Sequence, residues 1–563
     1  MAVVLGINAV FHDPAAAIVR DGVVVAAAEE ERFSRRKHGK EAVPFSTWEL
    51  PIAAARSCLD LAGLAPEDVD AVAYSYDPML AATATVGDAG GATVGDASGA
   101  AADDPWEPMR TLYARRARQF LGAALVEVPQ ERFHHVPHHV AHAASAWGPA
   151  PFDSSAVMVL DGRGESTSFL AGRSDGGSLE VLARQPLPDS LGLVYEELTA
   201  HLGYRRSSDE YKVMALASYG RPAHLDRFRR LIRTDGDLGF RARDVPWAEF
   251  APPGRGDGSL DPVHADLAST VQTRLEEVLL ELAGRLHERT GERALVMAGG
   301  VALNCVANSR VYEDGPFDDV WVQPAAGDAG TALGAAVHVA AALGDRPVPM
   351  ATAALGPSWT DDEVAAALHA AAVPFERPTD LAESVADVLA ADGIVAWHQG
   401  RSEFGPRALG HRSLLAHPGH ERNLERLNDV KGREQFRPVA PMVMLEAAKD
   451  VFEGGPLPSP HMLFTHRVRP GWEERIPAVV HVDGTARAQT VARDDEPLVH
   501  AMLDAFRRRT GLPLVVNTSL NTAGRPMVDS PRDALECFGS APIDALAIGP
   551  FLVRRRDCFG AVR

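Results

Sequence analysis

Residues 154–187 read SSAVMVLDGRGESTSFLAGRSDGGSLEVLARQPL. An apolar, β-branched run ends at Asp161. A glycine-rich turn follows, then a second apolar run, a Ser-Asp-Gly-Gly turn and a third run. Strand, turn, strand, turn, strand is the reading. Residues 2–31, AVVLGINAVFHDPAAAIVRDGVVVAAAEEE, repeat the same logic, with turns at NAVFHDP and at RDG, the second a hairpin signal. Two such copies predict an internally duplicated α/β domain.

Helical patterns follow each copy, for example ADLASTVQTRLEEVLLELAGRLHERTG. Around residues 343–360 the chain is proline-rich and loses periodicity, so a domain boundary is expected there. This predicts one domain over residues 1–350 and another over 357–563. Residues 82–104, with a half-repeat of TVGDA and a small-residue bias, predict a flexible surface insertion. A chain of 563 residues is too long for one core. Its formal net charge of −20 repels a polyanion on average, which counts against nucleic acid as the main partner. Its four cysteines contain no C-x-x-C pair, so neither a disulfide framework nor a zinc finger is expected. The N-terminus reads as a strand rather than a signal peptide, and no apolar run is long enough to span a bilayer. A cytoplasmic protein is expected.

The stretch HHVPHHVAHAASAW, His134 to Trp147, concentrates five of the 21 histidines. A helix beginning at Pro137 puts His138 and His142 four apart on one face. Two imidazoles need further ligands from elsewhere. Asp161 and Asp328 each sit at a glycine loop, where a carboxylate can reach a cation. Two histidines with two aspartates form a mixed nitrogen and oxygen site suited to Fe(II), Mn(II) or Zn(II). Taken singly, each of these residues reads first as a helix-face histidine or a turn aspartate without metal. Gly299 and Gly300, followed by Asn304, form a glycine turn between a buried strand and a helix, a place suited to nucleotide. In the second domain Arg407, Arg412, Lys431, Arg433, Arg437 and Arg487 cluster cations inside an acidic protein, which suits a triphosphate plus a second small anion, while any one of them alone reads as a surface salt bridge.

The ordered set HDPAAAIV, the H-x-x-x-H helix, LDGRGE, DEYKVMALASYG, GGVALNCVANS and GDAGTALGAA resembles the nodulation-factor, cephamycin and aminoglycoside O-carbamoyltransferase family over nearly the whole chain. FGPRALGHRSLLAHP, KGREQFRPVAP, HVDGTARAQTV and NTSLNTAGRPMV resemble that family's C-terminal region. The resemblance implies an N-terminal domain of the actin/sugar-kinase (RNase H-like) class, related to the tRNA threonylcarbamoyl transferase, and a C-terminal YrdC-like α/β domain. It implies metal ligands at His138, His142, Asp161 and Asp328. Nucleotide contacts are implied at Asp209, Glu210 and Lys212, at Gly299, Gly300 and Asn304, and at Ser519 and Asn521, which match an S-x-N element. The implied reaction uses ATP, with Mg2+, and carbamoyl phosphate to form carbamoyl-adenylate, with Lys431 and Arg437 in that step. The carbamoyl group then passes to a hydroxyl of a small natural-product acceptor beside a divalent metal, Fe2+ foremost. His12 or Asp13 is the candidate base. Three other readings stay open. A tRNA-threonylcarbamoylating enzyme is disfavoured by the charge, a hydrogenase-maturation enzyme lacks its cysteine pairs here, and a non-enzymatic actin-like regulator is disfavoured by the arginine-rich second domain.

Overall fold

The computed structural model describes residues 2–39, 49–81 and 107–559. The insertion expected at 82–104 lies outside the described residues. The chain divides into two compact units, Met1–Ala351 and Thr352–Arg563. Both are mixed α/β.

In the first unit, β1 (Val3–Asn8), β2 (Ala15–Arg20) and β3 (Val23–Glu29) form an antiparallel meander, and β4 (Ala71–Tyr74) and β5 (Phe133–His135) extend it on the β1 side in parallel. The sheet order is β3-β2-β1-β4-β5. The second copy has the same plan. The strands β6 (Ser154–Leu160), β7 (Thr167–Asp175) and β8 (Ser178–Pro186) form the meander. A two-stranded hairpin, β9 (Arg233–Thr234) with β10 (Phe240–Arg241), stands apart. Then β11 (Ala294–Ala298) and β12 (Asp319–Val322) complete the order β12-β11-β6-β7-β8. Strand for strand the two sheets match, so the duplication read from the turns is present in the topology.

Each copy ends in a helix, His138–Trp147 after β5 and Ala329–Ala342 after β12. The second packs against the first and against β1 and β2. Its alanines and glycines allow the close approach. A Cβ on Gly334 would overlap the carbonyl oxygen of Ala141, and one on Gly6 would overlap that of Ala332. Helix, helix and sheet thus meet backbone to backbone, which fixes the residues at the helix starts.

The second unit is built on a seven-stranded sheet of β13 (Val395–His398), β14 (Arg412–Ala416), β15 (Ala440–Met444), β19 (Gln489–Val491), β20 (Leu514–Ser519), β21 (Ala545–Ile548) and β22 (Phe551–Arg554). Its order is β19-β15-β20-β14-β13-β21-β22. A small sheet of β16 (Phe452–Glu453), β17 (His466–Val468) and β18 (Thr485–Ala486) accompanies it. Among the described residues no helix is long and apolar enough to cross a membrane.

Candidate functional site

Pro137 takes the N-cap position rather than the first helical one, because its ψ of 137° is extended, and the helix begins at His138, one residue later than the sequence suggested. The His138 N–H, an orphan donor of the first turn, is taken by Glu165 Oε1 at 2.9 Å. The same oxygen accepts from Asp77 N at 2.8 Å. The helix start is thereby tied to the end of β4 and to the loop after β6.

One turn on lies His142, and both imidazoles are fully buried. His138 Nδ1 faces the Ser75 carbonyl at 3.2 Å, which fixes its proton there and turns the Nε2 lone pair into the site. Nε2 of His138 stands 3.4 Å from Asp161 Oδ2 and 3.6 Å from Asp328 Oδ1. Nε2 of His142 stands 3.6 Å and 3.5 Å from the same two oxygens. Among the described residues neither Nε2 has a hydrogen-bond partner. The remaining carboxylate oxygens are held from outside. Asp161 Oδ1 accepts from Gly300 N at 2.9 Å, and Asp328 Oδ2 accepts from His12 N at 3.0 Å.

These distances suit a shared ion. Two donors about 2.1 Å from one cation stand about 3.4 Å apart at a tetrahedral angle and about 3.0 Å apart at a right angle. The four ligand atoms lie within 4.8 Å of one another. Electrostatics agree. Burial pushes the imidazole of His138 down, but Asp161 and Asp328 reverse this and hold it well above its usual range. Two buried carboxylates therefore demand positive charge between them, either protons on imidazoles or a metal ion. The orphaned Nε2 atoms and the outward-anchored carboxylates fit a divalent metal.

Other predicted residues gather near this centre. His12 Nδ1 meets Asp13 Oδ2 at 3.0 Å, and His38 Nδ1 meets Asp13 Oδ1 at 3.0 Å. Both Asp13 oxygens are thus engaged, and these two histidines overcome burial to hold its carboxyl well below the usual range. Asp13 and Phe11 have positive φ, 44° and 60°, a strained turn beside the site. Asp209 receives Arg205 N at 3.0 Å and Lys212 Nζ at 3.2 Å. Glu210 accepts from Ser207 N at 2.7 Å. Burial first and the Glu196 carboxylate second push Glu210 up to about 7. Gly299 has φ 95°, and a Cβ there would overlap the Leu160 carbonyl, so only glycine fits. Asn304 caps the helix Cys305–Asp314 through Ala307 N and pairs with Gln272, an engagement that gives it a structural task in the same turn.

In the second unit Lys431 is buried at the end of its helix. Its Nζ donates to Ser519 O at 2.6 Å, Ser519 Oγ at 2.9 Å and Asn521 Oδ1 at 2.5 Å. The S-x-N element and the lysine therefore form one constellation. Arg437 lies 3.6 Å from Glu434, and Arg433 donates to Asn428 Oδ1 at 2.6 Å. Arg412 behaves differently from a surface phosphate ligand. It is fully buried and donates to the carbonyls of Gln399, Gly400, His411, Pro357 and Asp529. That geometry makes it a backbone clamp. Arg407 and Arg487 are half-buried.

The family model described as Carbamoyltransferase N-terminus matches residues 3–337, and that described as Carbamoyltransferase C-terminus matches 386–555. The chain belongs to the carbamoyltransferase family. Nodulation protein NolNO of Sinorhizobium fredii is 38% identical over 98% of this chain and 80% of its own length. Nodulation protein NolO of Bradyrhizobium diazoefficiens is 40% identical over 74% and 79%. An uncharacterized protein of Synechocystis sp. is 35% identical over 98% and 96%. Among solved structures, full-length HypF in its phosphate- and nucleotide-bound form is 14% identical, covering 62% of this chain and 56% of that one at a TM-score of 0.35, too remote to bear on the argument.

In this carbamoyltransferase several residues near the centre escaped the sequence reading. His139 is buried, with Nδ1 on Thr167 Oγ1 at 2.7 Å and Nε2 3.8 Å from Asp161 Oδ2. Burial pushes it down to about 4. Glu165 belongs to the same LDGRGE stretch as Asp161. His38, which meets Ser208 Oγ at 2.8 Å, completes the Asp13 arrangement from outside any recognisable motif.

Proposed function

We propose that this carbamoyltransferase takes carbamoyl phosphate and ATP, with Mg2+, forms carbamoyl-adenylate in its second unit, and transfers the carbamoyl group to a hydroxyl of a small natural-product acceptor in its first. The first unit is then an actin/sugar-kinase-like domain, a reading supported by the paired 3-2-1-4-5 sheets. The second is a YrdC-like domain, supported by the Lys431, Ser519 and Asn521 constellation.

The single observation that carries the reading is the four-donor cluster formed by two helix N-terminal regions and the end of β6. His138, His142, Asp161 and Asp328 would hold a divalent ion, Fe2+ foremost with Mn2+ or Zn2+ as alternatives. When bound, it supplies positive charge against the phosphate side of the adenylate. The chain does the rest. Asp13 orients His12 through Nδ1, which puts the imidazole lone pair on Nε2, the form of a general base. Because both Asp13 oxygens are occupied, His12 rather than Asp13 is assigned the proton. The acceptor oxygen attacks the carbamoyl carbon, its proton passes to His12, and the C–O bond to phosphate breaks to release AMP. In the second unit, Lys431 and Arg437 bring two anions, ATP and carbamoyl phosphate, into one pocket.

The test is mass spectrometry of candidate acceptors incubated with enzyme, ATP and carbamoyl phosphate. One added carbamoyl per acceptor, with stoichiometric AMP, is expected. AMP and pyrophosphate independent of carbamoyl phosphate would overturn the reading.

A further inference from the structure

His139 has no task in the reaction as assigned. It sits between the two proposed ligands in sequence, its side chain is 4% exposed, and its Nε2 has no hydrogen-bond partner among the described residues. A buried ring nitrogen without a partner calls for an explanation. Helical geometry turns His139 about 100° away from His138, so the two rings cannot take the same role.

Nor does it fit as a fifth ligand. The four donors share one compact group within 4.8 Å, and His139 falls outside it. The widest span within one coordination sphere is about 4.2 Å, twice a metal–nitrogen bond. His139 stands one step out, on the Asp161 side, where its Nε2 is 3.8 Å from Oδ2, too far for a hydrogen bond. Its ring is held in place. Thr167, the first residue of β7, reaches Nδ1 with its hydroxyl at 2.7 Å, and a Cβ on Gly164 would press on the ring at 3.2 Å. The glycine leaves room for the imidazole.

The tautomer follows from the neighbours. A lone pair on Nε2 would face the Asp161 carboxylate, whereas an N–H there is favourable. Thr167 then donates to Nδ1, and the proton sits on Nε2, buried 3.8 Å from the Asp161 Oδ2 that would ligate the ion.

We propose that His139 is the hydrogen-bond donor for a phosphate oxygen bound at the metal centre beside Asp161. This rests on the metal reading above, and adds to it the group that orients the departing phosphate without holding the ion. Thr167 is then a positioning residue, setting which ring nitrogen carries the proton.

The test uses the full chain with Mn2+. Equilibrium dialysis gives the Mn2+ affinity. Paramagnetic relaxation of the 31P signals of inorganic phosphate and, separately, of AMP reports phosphate close to that ion. His139→Phe should bind Mn2+ as the unaltered chain does, yet lose roughly ten- to hundredfold in phosphate affinity, the scale of one charge-assisted hydrogen bond. His139→Gln, whose amide nitrogen reaches the Nε2 position, should recover most of that loss. Thr167→Val should weaken phosphate several-fold and Thr167→Ser should not. Loss in the AMP arm alone would assign the donor to nucleotide rather than to phosphate as such, and would overturn the proposal in its stated form. If the unaltered chain binds no Mn2+, the metal reading itself fails. If it binds Mn2+ but His139→Phe loses the ion, His139 is a ligand and the proposal is wrong. Unchanged phosphate affinity in both His139→Phe and Thr167→Val would overturn it equally. Should His139→Phe fail to fold, the Thr167 pair and His139→Gln decide.

Discussion

Asp161→Asn is the most informative change at the proposed metal centre. Asparagine has the shape of aspartate, and its carbonyl oxygen can still accept from Gly300 N. Its amide nitrogen then occupies the place of Oδ2, which lies 3.4–3.8 Å from the Nε2 atoms of His138, His139 and His142. An amide N–H there can donate to an imidazole lone pair but cannot ligate a cation. The fold should survive without metal and the ion should be lost. Disturbing an outer-shell partner costs about 10–100-fold in metal affinity. Removing an anionic ligand outright should cost about a hundredfold at least. Metal at a thousand times the dissociation constant of the unaltered chain stabilises it by about 4.1 kcal/mol. For a hundredfold weaker site the same concentration is only tenfold above the constant and gives about 1.4 kcal/mol, so about 2.7 kcal/mol is lost. A unit of roughly 350 residues has an unfolding entropy near 0.7 kcal/mol/K, so the metal-induced rise in Tm should shrink by about 4 °C. Calorimetry with and without anaerobic Fe2+, or with Mn2+, measures this. An Asp161→Asn protein with the same metal-induced shift as its parent would refute the coordination argument.

Three further outcomes are expected. Gly299→Ala forces a Cβ onto the Leu160 carbonyl at φ 95°, which should cost about 3 kcal/mol in chemical denaturation and weaken metal through the displaced Gly300 N–H; a neutral substitution would show that the turn has slack. Lys431→Ala should lower carbamoyl-phosphate-dependent pyrophosphate release about a hundredfold. It should leave transfer from pre-formed carbamoyl-adenylate intact, and equal loss of both half-reactions would show the labour divided wrongly. Glu210, raised from 4.5 to about 7, binds a proton more tightly in the folded chain, so its stabilising contribution is full below pH 4.5 and lost as pH rises through 7. Glu210→Gln should therefore gain on its parent by about 2 kcal/mol between pH 4.5 and 8 in metal-free denaturation, after allowance for partial exposure. A constant difference across that range contradicts the shift.

What the sequence made legible was periodic or local. The strand-turn-strand repetition is a pattern of period two punctuated by Gly and Asp, and the topology carries it in both copies. The four-residue spacing of His138 and His142 is a property of any helix. What it could not show is convergence. Asp161 and Asp328 lie 167 residues apart, and they meet only because β6 carries Asp161 to the imidazoles while the packing of helix Ala329–Ala342 on helix His138–Trp147 carries Asp328 there. His139 carries no signal of its own in that helix, because nothing in the sequence says that loop 161–165 closes over it. Arg412 and Lys431 are both basic residues beside glycine-rich stretches, yet one clamps backbone carbonyls and the other meets an S-x-N element. Charge type alone does not reveal which acceptors will surround a side chain.

The match between the two sheets has a consequence for how such a centre can be charged. Two identical halves related by a twofold axis must offer the same donors from each side. Joined in one chain, they are released from that constraint. The helix that closes the first copy begins with two imidazoles, while its counterpart in the second begins beside a single carboxylate, and the other carboxylate follows β6 alone, with no acid at the end of β1. The outcome is a set carrying two negative charges, which one divalent ion brings to zero. A neutral cluster is far less costly to keep out of water than a charged one. Broken symmetry is what would let the seam between the copies stay dry while holding the proposed ion.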